Sequence, residues 1–278
     1  GLMNILRDTT LNSYFSQENG IINTNSGFGF RNYGGSLGYK HNFTKPEKYI
    51  TADINYNSSK NSGNSLINTQ YFDALDNPKA EPSLQSSRTS GNRQSFVAQT
   101  DYTNPVNANV KIEAGLRASI QKNRSQNDNF LYNYDTKDYV PLLSLNSKYK
   151  FIDQVYAGYV TYSQKIDKFS YQLGGRIESS FYSGTLIDSN QTFGNEFPFS
   201  FFPSIFLTQK LNEKQDIQLN YSRKINRPNF FQLIPYYDFT DSLNISKGNP
   251  GLKPEFTNLL ELSYQYNMKN GNNFLATL

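Results

Sequence analysis

A single imidazole and no thiol limit the chemistry open to this chain. With His41 as its one histidine and no cysteine, disulfide scaffolds and the usual Cys/His zinc sites are excluded. No Ser-His-Asp or Cys-His set can be assembled, so no catalytic residue, metal or cofactor is assigned. Asp188, Asn190 and Thr192 have the spacing of a calcium loop, but Phe193 stands where glycine is needed and the closing acid is missing. What remains is charge and aromatic surface. Glu113 with Arg117, Arg176 with Glu178, and Glu261 fall on polar positions of alternating stretches. They are expected to face water or a plug and to pair across strands. Phe230, Phe231, Tyr236, Tyr237 and Phe239 crowd one long connection. They suit substrate binding by stacking, with loop self-packing or contact with a neighbouring protein as the alternatives. Arg223, Lys224 and Arg227 end a strand, either contacting anionic lipid A phosphates or an acidic partner, or serving as solvated rim charge with loop packing.

These groups must be positioned by strands. Val110, Ile112, Ala114, Leu116, Ala118 and Ile120 alternate with Lys111, Glu113, Gly115, Arg117, Ser119 and Gln121. A period of two sustained so far cannot be an amphipathic helix, because a rotation of about 100° per residue would mix the two sets. The same alternation appears in Ile50 to Tyr56, Phe96 to Tyr102 and Tyr171 to Glu178. Val155 to Gln164 is a strand whose faces the sequence does not distinguish. Further strands are expected at Phe28 to Phe43, Phe199 to Lys210, Asp216 to Lys224, Asn258 to Met268 and at the C-terminal end, about ten in all.

The connections alternate in length. Tight turns are expected at Thr44 to Lys48, Asn104 to Asn107, Ile166 to Lys168, Leu211 to Lys214 and Asn270-Gly271. Between them lie long polar segments read as loops: Asn57 to Gly91, Asn123 to Asp153 and Ser183 to Phe197, with extended pieces near Leu142 to Leu145. Short turns on one side and long loops on the other mark a transmembrane antiparallel β-barrel of the outer membrane, with the short turns periplasmic and the long loops extracellular. Strands of about ten residues suffice for a tilted crossing. Composition agrees. The 278 residues are 36% hydrophobic yet 15% aromatic, and no apolar run reaches the roughly 18 residues of a membrane helix. The mean hydropathy of -0.66 is compatible with a membrane, because alternating strands average to polar. The net charge of +4 is dispersed, without the basic cluster of a nucleic-acid surface.

This reading places Ile112, Leu116 and Leu173 toward lipid and Glu113, Arg117, Arg176, Glu178 and Glu261 toward the lumen. Tyr102, Phe181, Tyr221 and Tyr266 suit interfacial girdles. Residues 1–25 form a leading strand or loop, and 26–278 a barrel segment. Because a barrel in lipid must close, further strands are expected at both ends.

The segments Gln99 to Pro105, Val110 to Arg117, Tyr159 to Ser163 and Phe169 to Glu178 resemble the outer-membrane β-barrel family common in Bacteroidetes and related to TonB-dependent receptors. The most specific stretch is Tyr221 to Pro228 with Gly248-Asn249-Pro250 and Leu252-Lys253-Pro254-Glu255. Its motif positions are Arg223, Arg227, Pro228, Gly248, Asn249, Pro250, Pro254 and Glu255. Gly248 and the prolines are expected to shape the chain's return, glycine by allowing a left-handed turn. The resemblance implies a barrel of about 22 strands with an N-terminal plug that is not in this sequence. It implies substrate uptake across the outer membrane driven through TonB. The alternative is a non-transporting barrel that scaffolds a larger outer-membrane complex. Implied partners are outer-membrane lipids and lipopolysaccharide, TonB through the plug, and surface lipoproteins or other outer-membrane proteins. No nucleic-acid partner is expected.

Overall fold

The fold is a meander in which each strand pairs antiparallel with the next, seen in a computed structural model that describes residues 3–7, 19–73, 75–235, 237–238, 246–268 and 271–278. The strands are β1 (Met3–Arg7), β2 (Asn19–Asn42), β3 (Tyr49–Phe72), β4 (Ser83–Asn107), β5 (Val110–Asn133), β6 (Asp138–Pro141), β7 (Ser147–Ile166), β8 (Phe169–Leu186), β9 (Gln191–Lys210) and β10 (Gln215–Asn226). A one-turn helix, α1 (Phe230–Leu233), follows, then β11 (Tyr237–Asp238), β12 (Ser246–Lys247), β13 (Glu255–Asn267) and β14 (Asn273–Thr277). The sheet runs β1-β2-β3-β4-β5-β7-β8-β9-β10-β13-β14, with β6 on the β5 edge beyond β7 and β11-β12 as a separate ribbon. No helix among the described residues is long and apolar enough to cross a membrane.

Register turns the sequence alternation into a continuous band. Ile54 pairs with Leu37 and Ala98, Ala98 with Ala118, and Ala118 with Tyr156. Leu116 pairs with Gly158, Gly158 with Ile177, and Ile177 with Phe201. Leu173 pairs with Ile205, Ile205 with Tyr221 and Tyr221 with Leu260. All lie on one face, and Leu116 (64%) and Leu260 (67%) are among its most exposed apolar side chains. From Ile112 to Ile120 the band spans about 26 Å of strand at roughly 3.3 Å per residue. With the strands tilted by about 40° that is roughly 20 Å of height, of the order of the apolar band of a membrane barrel. The register also gives β7 the faces that its sequence leaves open: Tyr156, Gly158, Val160 and Tyr162 join the band, and Val155, Ala157, Tyr159 and Thr161 face the other way.

The strands are far longer than a membrane crossing requires. Those expected to be about ten residues long reach 24 in β3 and β5 and 25 in β4. Most of Asn57 to Gly91, Asn123 to Asp153 and Ser183 to Phe197, read as loops, is paired strand. The true connections are the tips, such as 73–82 and 187–190. Beyond the band both faces of these hairpins are polar, so hydrophobic alternation vanishes and composition mimics a loop. Eleven strands lie on the main path, one more than expected, because β1 forms within residues 1–25. The extended piece near Leu142 to Leu145 is instead a 3-10 turn at Leu143–Leu145, preceded by β6. Short turns join the strands at the opposite end, where Asp167 takes a left-handed conformation (φ 50) between Ile166 and Phe169. At the tip after β3, the Asp73 carboxylate accepts hydrogen bonds from the amides of Asn77 (2.9 Å) and Leu75 (2.8 Å), which hold its carboxyl below the usual range.

One irregularity redirects side chains. Glu178 pairs with Ser200, but Ser180 pairs with Phe197, so β9 carries an extra residue. A bulge of this kind shifts the alternation by one. It brings Phe193 and Phe197 onto the face that carries Phe202.

Candidate functional site

The polar face of the sheet carries the only sizeable buried cluster among the described residues, and the connection from β10 to β13 completes it. Phe151, on β7 and opposite Gly184, and Tyr182, on β8 and opposite Asp153, project from this face. Leu233 of α1 packs against them and is 1% exposed, with Phe193, Phe197, Phe230 and Leu252 around it. The Phe230 ring packs at a tilt against Tyr149 (4.6 Å between centroids) and edge-on against Phe151 (5.0 Å).

The local sequence explains why α1 forms. Asn229 and Gln232 make a capping box: the Asn229 Oδ1 accepts from the Gln232 amide (3.1 Å), and the Gln232 Oε1 accepts from the Asn229 amide (2.9 Å). The Asn249 amide donates to the Gln232 carbonyl (2.6 Å), which joins the two halves of the motif. Asn249 to Leu252 form a turn with Pro250 in its second position; the Leu252 amide donates to the Asn249 carbonyl (3.2 Å) and the Gly251 amide to the Asn249 Oδ1 (2.9 Å). Gly248 has no positive φ, so the expected left-handed turn at Gly248 is corrected: Asn249-Pro250 makes the bend.

At the strand end, Arg227 packs the loop rather than standing as a solvated rim charge. Its guanidinium donates to Oε2 of Glu178, while Arg176 holds Oε1 of the same carboxylate at 2.7 Å. The Glu178 side chain is only 8% exposed. Arg223 lies over the ring of Phe256 (4.6 Å), and Phe256 stacks on Phe202 (6.1 Å).

Between this docked segment and the sheet lies a cleft of about 690 Å³. Arg93, Asp153 and Arg227 give it charge, and Phe30, Tyr149, Phe151 and Phe230 give it ring faces. The Asn127 Oδ1 is buried in its wall without a hydrogen-bond partner among the described residues. Pro228 and Pro254 border it, and Glu255 pairs with Asn226 where the segment rejoins the sheet.

Of the aromatic residues expected to bind substrate, Phe230 lines this cleft. Tyr236 and Phe239 lie outside the described residues, as do the side chains of Phe231 and Tyr237. Glu113, Arg117, Arg176, Glu178 and Glu261 share one face, opposite Ile112, Leu116 and Leu173, but the structure does not gather them into one site. Glu178 holds Arg227, which lines the cleft, and Arg176 holds Glu178 in turn. Lower on the same face, Glu113 pairs with Lys111 (3.1 Å), and Arg117 donates to Gln99 Oε1 (2.8 Å). Gln99 and Tyr159 both donate to Asp101, at 2.7 and 2.6 Å. Sequence reasoning assigned no role to Asp153, Phe151, Tyr182 or Tyr149. The signal of Tyr149, Phe151 and Asp153 is an every-second-residue run that continues into Val155 and Ala157, but it falls in a stretch read as loop up to Asp153. Asp188 and Asn190 lie in a hairpin tip and Thr192 in β9 opposite Thr185, and no group of three metal-binding side chains occurs among the described residues.

A family model described as an outer membrane protein beta-barrel family matches residues 41–278. No curated protein matches the sequence. Among solved structures, the copper transporter OprC is similar with a TM-score of 0.50 and 10% identity, over 91% of this chain and 47% of that one. The ferric citrate transporter FecA in the unliganded form gives 0.48 and 10%, over 91% and 41%. The ferric yersiniabactin uptake receptor FyuA from Yersinia pestis gives 0.43 and 11%, over 96% and 47%. At such identities the likeness is one of fold, and this chain spans less than half the length of each of these structures.

Proposed function

The chain belongs to the outer membrane protein β-barrel family and resides in the bacterial outer membrane; from that premise we propose that it is part of a TonB-dependent transporter that takes up a substrate from outside the cell. The observation that carries this reading is the inward docking of the β10–β13 connection. Held by Arg227 on Glu178, it leaves a cleft of about 690 Å³ on the polar face. That volume is in the range of small-molecule sites. The apolar band, with Ile112, Leu116 and Leu173, faces lipid. The polar face, with Glu113, Arg117, Arg176, Glu178 and Glu261, faces the lumen. The short turns are periplasmic, so the cleft lies on the extracellular side of the band, where an incoming substrate is met first.

The strands described are a segment of a larger barrel of about 22 strands. The share of the OprC chain covered, 47%, supports this. In this reading a plug from the rest of the polypeptide fills the lumen and couples to TonB.

The test is peptide mass spectrometry of the native polypeptide from outer membranes, followed by binding of the intact protein to the periplasmic part of TonB. A plug-sized segment with a TonB-binding box, and measurable TonB binding, is the expected result. A closed barrel without a plug sinks the transport reading and turns attention to a scaffold within a larger outer-membrane complex.

A further inference from the structure

Cross-strand register assembles a band of cations that no single strand announces. Arg31 on β2 pairs with Lys60 on β3, Lys60 with Asn92 on β4, Asn92 with Arg124 on β5, and Arg124 with Lys150 on β7. All five lie on the face of the apolar band. Lys122 is one row nearer that band, and Lys148 one row farther away. The row of Tyr56, Phe96 and Ile120 forms the band's upper edge. Lys122 is two residues above Ile120 and Arg124 four, so they stand roughly 5 and 10 Å above that edge for strands tilted by about 40°. The hydrocarbon core is about 30 Å of a total of roughly 40–45 Å, which leaves about 5 to 7 Å of headgroup on each side, so Lys122 stands within that layer and the long Arg124 side chain reaches back to it.

These cations are exposed or half-exposed, and none makes an ion pair among the described residues. The flanking acids on this face are displaced from the row. Asp128 lies beyond it, opposite Arg88, and Glu196 lies on β9, opposite Phe181. A solvated hairpin surface gains nothing from collecting one sign of charge on neighbouring strands. A headgroup layer carrying phosphates supplies the missing counter-charge, and arginine binds phosphate oxygens through a fork of donors.

We propose that Arg31, Lys60, Lys122, Arg124, Lys148 and Lys150 form a binding site for the phosphate groups of an outer-leaflet lipid. The site rests on the assignment of the apolar face to lipid made above, but not on transport or on TonB. It differs from the strand-end cations Arg223 and Arg227, whose guanidinium groups are engaged by Phe256 and Glu178.

The experiment uses the full-length protein purified in detergent and reconstituted in nanodiscs. Retention of bisphosphorylated lipid A is compared with that of the same lipid after phosphatase treatment, by native mass spectrometry. The wild type should retain the phosphorylated form about tenfold better, and K60Q/R124Q/K150Q should lose most of that difference. Equal retention of the two lipids, or an unchanged preference in the triple variant, overturns the site. If the variant does not assemble, the wild type alone decides: the preference must fall several-fold between low and high salt, and a salt-independent preference refutes charge recognition. A failure of the lipid-face assignment shows separately, as tolerance of a charge at Leu116.

Discussion

Arg227 leaves the sheet just past the end of β10, yet its guanidinium meets the carboxylate of Glu178 on β8, 49 residues earlier in the chain. The contact turns the chain after β10 inward and brings α1 over Phe151 and Tyr182. Arg176 binds the other carboxylate oxygen, so one largely buried acid is held between two arginines. Losing one of them leaves the acid partly compensated, which sets the scale of the first prediction.

Arg227→Ala should loosen the docked segment without unfolding the sheet. A hydrogen bond to a charged group contributes about 2 kcal/mol, or roughly a 30-fold shift in a local opening equilibrium. Hydrogen exchange of residues 229–235 and 246–254 should accelerate by that order, while amides of β5 and β7 keep their protection. Acceleration spread over the whole sheet, or none at all, would contradict the assigned role.

Leu116→Arg places a charge in the middle of the apolar band. At the bilayer midplane it should cost about 2 to 4 kcal/mol of folding stability in lipid. The readout is the folded fraction in denaturant titrations in liposomes. Arg117→Gln, on the opposite face, is the control and should change stability by less than about 1 kcal/mol. Assembly and heat stability unaffected by Leu116→Arg would mean that the face is wrongly assigned.

Gly115→Ala should disturb the polar network on the inner face. A Cβ at Gly115 would lie 2.4 Å from the ring of Tyr159, 2.6 Å from Asp101 Oδ1 and 2.7 Å from the Thr100 carbonyl oxygen. The last of these is backbone and cannot move aside. Overpacking of this kind costs about 1 to 3 kcal/mol. The expected signature is lowered stability together with loss of the Tyr159–Asp101 hydrogen bond, seen as a shifted tyrosine fluorescence. Gly35→Ala, where an added Cβ meets nothing within 4 Å, should leave both unchanged.

The alternation of Val110 to Gln121 determined a strand and its two faces without reference to any other residue. The reason is local: successive side chains of an extended backbone point to opposite sides. The tight turns at Ile166-Asp167-Lys168 and Leu211 to Lys214 fixed which strands are neighbours, because a short connection permits only an antiparallel partner. Only the tertiary structure decided how far the strands run. Beyond the band, Asn61, Ser90 and Asn123 are solvated whether they lie in a loop or in a hairpin, so their types carry no period. Pairing also decided the faces of β7, and the bulge opposite Ser179 decided that Phe193 and Phe197 turn inward. Arg227 on Glu178, and Arg31, Lys60, Arg124 and Lys150 in one row, are contacts and alignments between residues far apart in sequence. Their spacing in the chain encodes neither, because both are set by the register of whole strands and by a connection that folds back over them.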